Sequence, residues 1–429
     1  MTWRNWAGNQ RTTPTRRVVA RTTQDVVTAV KEAARDGVRV KATGSGHSFT
    51  GIGAPDGIAL AVPSQGVPEV HGMLATVPAG MTIRAVNAAL WEQGLALPNL
   101  GDIDAQTIAG AVATGTHGTG AGHTGIAARI RALALVLADG TVLSCSATEH
   151  PEIFHHARVG LGALGIVTAV TLECVPAFTL HATEAARPLA EVLEGFDELA
   201  AQHDHVEFYW FPHTEVAATK INDRTTATGP TRSRVGAWVG DELRGNGAFE
   251  LVCRAGAAVP SAVPALNRVM AGQMANAEYV DRSYRVFTSP RRVRFLEMEY
   301  AVPRAALGEA FAGLRAAAER HGADVTFPVE VRVAAADDVP LSTASGRDSA
   351  YLAVHVHHTR PHEAYFGAVE SVMTALDGRP HWGKLHTRAA AQLAASYPEF
   401  GDFVALRDRL DPERRFGNAH LERILGAAG

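Results

Sequence analysis

A β-type segment, Val38-Arg39-Val40, runs into Lys41-Ala42-Thr43-Gly44-Ser45-Gly46-His47-Ser48-Phe49, and this junction narrows the possible folds more than any bulk property does. Two glycines within three residues let the backbone approach a ligand closely, and consecutive free N–H groups can form an anion-binding nest. The loop therefore suits a diphosphate. It is not the G-x-G-x-x-G dinucleotide fingerprint, because Phe49 stands where the third glycine belongs and no amphipathic helix follows. His47 is unexplained by phosphate binding alone. A Gly-rich turn with a solvated histidine is the competing reading.

A chain of 429 residues has room for two or three domains, each with its own core. With a net charge of −4 and no basic cluster, nothing points to nucleic acid or an anionic membrane. Met1-Thr2-Trp3-Arg4-Asn5-Trp6 contains no apolar signal region, and no run reaches the roughly eighteen apolar residues of a spanning helix. Cys145, Cys174 and Cys253 are far apart and odd in number, which argues against a disulfide framework or a Cys-based metal site. A cytoplasmic protein is expected.

Thr22 to Asp25 can cap a helix carrying Val26, Val27, Val30 and Ala34, ending near Gly37. Strands are expected at 57–62 and 75–79, with a helix opened by Thr82 and closed by Gly94, an α+β texture. Residues 98–125 break this pattern. The run Thr107-Ile108-Ala109-Gly110-Ala111-Val112-Ala113-Thr114-Gly115-Thr116-His117-Gly118-Thr119-Gly120 is long, small and Gly/Thr-rich, with almost no side chains able to fill a core. A loop of that size is usually functional or disordered, and the apolar Ile108 and Val112 favour backbone packed around a large ligand. Two such stretches make a nucleotide-type cofactor the leading idea. A hairpin turns at Asp139-Gly140, and Gly160 to Gly165 precedes a strand at 166–172.

A change of texture after Pro176 marks a boundary near residue 180. Beyond it come a helix with Leu189, Val192 and Phe196, a strand at 206–211, and a polar surface excursion at 222–247. A helix at 304–321 precedes two strands. Alternation in the first puts Val329, Val331 and Val333 on one face and Glu330 with Arg332 on the other. In the second it aligns Tyr351, Ala353, His355 and His357. A final helix around Phe366 and Val369 leads to Arg379-Pro380-His381-Trp382-Gly383-Lys384 and a C-terminal tail.

Glu330 with Arg332 reads equally as a weak surface ion pair, and Lys384 as a solvated lysine. Together with His355 they could instead hold a polyhydroxylated substrate, since carboxylate and guanidinium bond hydroxyls directionally and a cation stabilises a developing anion. The pairs His155/His156 and His355/His357 lack metal-site spacing, so no metal is expected. No G-x-S-x-G elbow supports a hydrolase.

Several of these motifs match a known family. Gly44 to Ser48, Thr107 to Gly120, and Gly162-Ala163-Leu164-Gly165 resemble the flavin domain of the vanillyl-alcohol-oxidase (VAO) type. Pro328 to Arg332, Gly346-Arg347-Asp348-Ser349, Gly378 to Lys384 and Trp210 to Glu215 resemble the sugar-1,4-lactone oxidase branch of L-gulono-1,4-lactone oxidases and dehydrogenases. D-arabinono-1,4-lactone and alditol oxidases come next in likeness. The resemblance spans nearly the whole chain. The hydrophobic insert of the membrane-associated animal enzymes has no counterpart here.

This resemblance implies an α+β fold: a two-subdomain FAD-binding domain of the PCMH/VAO type and an α+β substrate (cap) domain with a mixed or antiparallel sheet. The FAD-binding domain would span 1–178, the cap 179–385, and a C-terminal segment, 386–429, would return to the FAD domain. It makes His47 the residue bonded covalently to the 8α-methyl of FAD, with Thr43, Gly44, Ser45, Gly46 and Ser48 around the diphosphate. Gly101, Asp102, Thr107, Gly110, Ala111, Val112, Ala113, Thr114, Val167 and His381 would line the flavin. Glu330, Arg332 and Lys384 match catalytic residues on the substrate side, joined there by Asp102 and His355. His355 replaces a hydroxyl residue of the alditol oxidases and Asp102 a serine, departures that favour a lactone.

The implied reaction is hydride transfer from a secondary carbinol to flavin N5, with electrons passed to O2 or another redox acceptor. Gly101 would leave O2 room near the flavin. An alditol oxidase, a sugar-tailoring flavin oxidase and a non-catalytic flavin- or sugar-binding module are the rival readings.

Overall fold

The structure, a computed structural model, describes residues 2–227, 229–231, 247–272 and 276–427. Thr22 caps the first helix, Thr23–Arg35: its hydroxyl accepts from the Asp25 N–H at 3.2 Å while the Asp25 carboxylate accepts from the Thr22 N–H at 3.0 Å. The apolar face so aligned, Val26, Val27 and Val30, packs on a parallel three-stranded sheet of β1 (Arg16–Val19), β2 (Val40–Ala42) and β3 (Ile58–Ala61), ordered β1-β3-β2. The Gly44–His47 loop leaves the end of β2.

A second, antiparallel sheet holds β4 (Glu69–His71), β5 (Leu74–Pro78), β6 (Ile130–Val136), β7 (Val142–Ser146) and β8 (Ile166–Glu173), in the order β7-β6-β8-β5-β4. Its core takes Ile83, Val86 and Leu90 from the helix Ile83–Glu92. Two expectations change here. The stretch 98–125 is not all loop: Thr107 caps a short helix, Ile108–Ala113, whose Ile108, Ala111 and Val112 are buried in this core. Small residues served close packing rather than open backbone. The C-terminal tail is also structured, in helices Ala390–Ala394, Phe400–Leu410 and Ala419–Leu425, so the helix Glu363–Ala375 is not the last. Leu393, Phe403, Leu406, Leu421 and Ile424 bring this segment back into the core of the second sheet.

The third sheet is antiparallel throughout. It contains β9 (Thr179–Pro188), β10 (His205–Trp210), β11 (Val216–Thr225), β12 (Ala277–Arg282), β13 (Phe295–Pro303), β14 (Val329–Ala334), β15 (Ser349–His357) and β16 (Arg379–Pro380), in the order β12-β9-β11-β10-β14-β15-β13-β16. The polar stretch 222–247 begins inside β11 and lies for the most part outside the described residues.

Strand alternation divides this sheet into two chemically distinct faces. Val206, Phe208 and Trp210, Val329, Val331 and Val333, and Leu352, Val354 and Val356 pack beneath helices Leu189–Gln202, Leu307–His321 and Glu363–Ala375. The opposite face carries Glu207, Tyr209, Glu330, Arg332, His355, Glu297 and Glu299. Across strands Tyr209 pairs with Glu330, Arg332 with Tyr351 and Glu297 with His355. Among the described residues no helix is long and apolar enough to cross a membrane, and the three cysteines are free and buried.

Candidate active site

Two cleft compartments meet at His47, Ser48, Gln106 and Thr114, which line both. The first runs between the first two sheets and is bounded by the Thr43–Ser48 loop, by Thr107, Gly110, Val112 and Ala113, and by Gly160 to Gly165 with Val167. Gly46 has φ of +72°, the left-handed region that glycine enters without strain. A Cβ on Gly44 would lie 2.4 Å from the Thr107 hydroxyl, so the two Gly-rich stretches meet only because one of them lacks a side chain. Among the described residues, none of the N–H groups of residues 44–48 donates to a protein acceptor. That is a nest with its donors free, as a diphosphate requires.

His47 stands where the compartments join. Its ring stacks on Trp6 (centroids 5.6 Å apart), and its Nδ1 is buried without a hydrogen-bond partner. Burial, with the Lys384 charge nearby, pushes its pKa down to about 4, so the imidazole is neutral and its lone pair is free. Lys41 also lines this cleft, pinned by the Gly162 and Phe416 carbonyls at 3.1 and 3.0 Å. Burial pushes its pKa down to about 7.

The second compartment lies over the polar face of the third sheet. Glu330 and Arg332 are both buried, which removes the surface-pair reading. Arg332 is the hub: its guanidinium pairs with Asp102 and Glu330 and donates to Glu207 Oε2 at 2.6 Å. Arg291 bonds the other Asp102 oxygen at 2.6 Å, and Lys220 lies 3.6 Å from Glu207. Burial opposes ionisation of Asp102, but Arg332 and Arg291 outweigh it and hold the carboxyl well below its ordinary range. Glu330 goes the other way. Burial pushes it up to about 8, the Arg332 charge only partly opposing, and the Tyr209 hydroxyl donates to it at 3.2 Å.

Lys384 is positioned by a turn docked on the edge of β13. His381 N donates to Glu299 O at 3.0 Å and Leu385 N to Glu297 O at 2.8 Å, while Phe49 N donates to Gly383 O at 2.7 Å. The last bond ties this turn to the His47 loop. The Lys384 ammonium pairs with the Glu297 carboxylate and sits 5.3 Å from the Phe49 ring. Burial works against its charge, but Glu297 and Glu299 outweigh that and raise its pKa above the usual lysine value. It is a fixed cation.

Of the residues expected to act, Asp102, Glu330, Arg332, His355 and Lys384 all line the second compartment, as do Gly101 and His381. Ala111 does not line either one, because its side chain faces the core. Gly101 has a structural reason of its own. The Cβ it lacks would meet the His117 carbonyl oxygen at 2.8 Å, so close chain approach demands glycine whatever the electron acceptor. Sequence reading missed Glu297, Glu299, Glu207, Arg291, His117 and Lys41. The strand Phe295-Leu296-Glu297-Met298-Glu299 held a usable signal, since two carboxylates at alternate positions share one face. Neither adjacent nor alternate histidine pair belongs to a metal-type cluster among the described residues. The sets that come together are His117, Glu299 and His381, and Asp102, Glu207 and Glu330.

Comparison with known proteins agrees with this geometry. Residues 170–424 match the D-arabinono-1,4-lactone oxidase family and residues 14–146 an FAD binding domain. The chain is 43% identical to L-gulono-1,4-lactone dehydrogenase of Mycobacterium tuberculosis over 99% of both chains. It is 33% identical to L-gulonolactone oxidase of Bos taurus and 31% identical to alditol oxidase of a Streptomyces species, each over 98% of both chains. In three dimensions it is similar to cholesterol oxidase from B. sterolicum (TM-score 0.85, 18% identity, 99% of this chain and 96% of that one), a likeness of fold. The free N–H nest, the orphaned His47 nitrogen and the apolar walls supplied by Val62, Leu135 and Val167 fit FAD. An FAD-binding cleft opening onto a buried polar sheet face, with these relatives, identifies the chain as a member of the D-arabinono-1,4-lactone oxidase family and an FAD-dependent oxidoreductase.

Proposed function

We propose that this protein oxidises a secondary carbinol of a sugar 1,4-lactone, of the L-gulono-1,4-lactone type. The observation that carries the reading is the buried polar face of the third sheet, where Glu330, Arg332, His355 and Lys384 surround a compartment that meets the flavin cleft at His47. Residues 1–178 and 386–429 hold the cofactor, and 179–385 covers the substrate. FAD, when bound, supplies the two-electron acceptor that takes hydride at N5.

Each polar residue has a role suited to its charge. Arg332 and Lys384, fixed as cations, bind the lactone oxygens and stabilise negative charge as the hydroxyl proton leaves. Glu330, protonated through neutral pH, donates to a substrate hydroxyl while its second oxygen accepts. Asp102 keeps Arg332 oriented, and its ionised carboxylate rejects an anionic substrate, favouring the closed lactone over the free acid. The electrons would go on to O2 or to another redox acceptor, and Gly101 lines the substrate compartment. Comparing reoxidation by air and by an artificial dye separates an oxidase from a dehydrogenase.

His47 would tether FAD covalently through the 8α-methyl carbon, and its Nδ1 is buried with no protein hydrogen-bond partner. Acid precipitation tests this directly. Flavin of the unaltered protein stays in the pellet, whereas His47→Ala releases it to the supernatant. Flavin still attached in the variant would rule the tether out.

A further inference from the structure

We propose that His355 accepts the substrate's hydroxyl proton at Nε2, with Glu297 as the positioning residue that stabilises the resulting imidazolium. The proposal rests on the lactone-oxidation reading above and goes beyond it by assigning the base.

The geometry sets the tautomer. His355 Nδ1 lies 3.1 Å from the Pro328 carbonyl oxygen, and since a carbonyl only accepts, Nδ1 carries the hydrogen. Nε2 is then the lone-pair nitrogen, and it faces Glu297 Oε1 at 3.5 Å. A neutral ring sets that lone pair against a carboxylate. A protonated ring has an acceptor on each side. The site is therefore built to receive a proton at Nε2. Phe295 (centroids 5.1 Å apart) and Phe327 (6.1 Å) enclose the ring, and register pairs His355 with Glu297 across β15 and β13.

The other groups in the compartment are poorer acceptors. Lys384 and Arg332 hold their protons, and Glu330 already carries one at neutral pH. Burial, outweighed by Lys384 and His355, leaves Glu297 down at about 2, too weak a base. His381 is pushed down to about 4 by burial and its Nδ1 already accepts from the Gly383 N–H at 3.0 Å. His117 has a similar pair of neighbours, but it is already hydrogen-bonded at both ring nitrogens, to the Gly118 carbonyl at 2.9 Å and to Glu299 at 3.1 Å, and Tyr351 stacks over the ring at 3.7 Å. His355 Nε2, by contrast, stands 3.5 Å from Glu297 and is not hydrogen-bonded to it.

In the proposed step the carbinol C–H bond breaks and its electron pair leaves as hydride to FAD. The O–H bond breaks, its pair becomes the second C=O bond, and the proton forms a new N–H bond at Nε2. The substrate is oxidised by two electrons and FAD is reduced by two. The charges that face His355 are Glu297 on β13, Glu330 and Arg332 on β14, Lys384 on the turn beside β16, and Asp102 with Arg291 across the cleft.

The test is anaerobic stopped-flow reduction of the flavoprotein by L-gulono-1,4-lactone across pH. In the unaltered protein the limiting rate rises with pH as the base loses its proton. In His355→Gln the rate falls by about 10² or more and the rising limb disappears, while the lactone Kd changes by less than about threefold. Glu297→Gln keeps the limb but moves it to lower pH, because removing the facing carboxylate acidifies the imidazolium. A limb that survives in His355→Gln overturns the assignment of the base, and a limb unmoved in Glu297→Gln overturns the role of its partner. If the unaltered flavoprotein is itself not reduced by the lactone, the functional reading fails and the base assignment with it.

Discussion

Replacing Lys384 by methionine slows flavin reduction by about 10²–10³ and leaves the flavin content of the purified protein unchanged. The size follows from where the charge sits. Lys384 is largely but not fully buried, held protonated by Glu297 and Glu299, and it lines the substrate compartment rather than the flavin cleft. Methionine keeps the length and the contact with Phe49 but removes the cation. The Glu297 carboxylate then loses its ion-pair partner in a buried setting, so its pKa rises from about 2. Stopped-flow reduction separates the two roles that Lys384 can have. A rate unchanged from the parent protein would mean that the ammonium only holds Glu297 in place.

A second large effect is expected at the Arg332 hub. Arg332→Leu strands the Asp102 and Glu207 carboxylates, which both pair with its guanidinium and keep Arg291 and Lys220 as their nearby cations. Removing one partner of such a network costs about 3–5 kcal/mol, far more than a surface pair, and denaturant titration measures it. Adding Asp102→Asn to Arg332→Leu recovers part of the loss, because one of the stranded charges goes with it.

The pH dependence has a definite sign. Glu330 binds its proton more tightly in the folded protein (about 8) than at its ordinary value of 4.5, so the folded state holds more protons across that window. Stability contributed by this group is present below pH 4.5 and is lost as pH rises toward 8. In Arg332→Leu the Asp102 carboxyl is no longer held below its ordinary range by that guanidinium, so the loss deepens as pH rises through that range. A pH-independent loss, or recovery at high pH, would contradict the ion-pair account.

Much of this site was legible from strand alternation and loop composition. The Gly44–His47 loop announced a nest because two glycines leave the donors exposed, and the Val-Glu-Val-Arg-Val strand announced a polar face because side chains alternate at period two. Alternation could not tell whether that face meets solvent or a second layer. Burial of Glu330 and Arg332 depends on the cofactor-binding half lying across the cleft, a tertiary fact. Glu297 and Glu299 were missed for a related reason: in Phe295–Pro303 apolar residues occupy both faces, which hid the two carboxylates. The helix Ile108–Ala113 was hidden by its glycine and its shortness, and only Thr107 as a capping residue hinted at it. The C-terminal helices were read as tail because Pro412 and Gly417 interrupt them, although Phe403, Leu406, Leu421 and Ile424 carry apolar spacing.

On the proposed reading, a lactone bound on the polar sheet face would deliver hydride to FAD held at the His47 loop. That reading is tested most directly by mixing the purified flavoprotein anaerobically with a panel of aldono-1,4-lactones and open-chain alditols, and following loss of the oxidised flavin absorbance. Rapid bleaching by a lactone of the gulono type is expected, with slow or no bleaching by alditols. A flavin bleached by alditols and untouched by lactones, or by neither class, would contradict it.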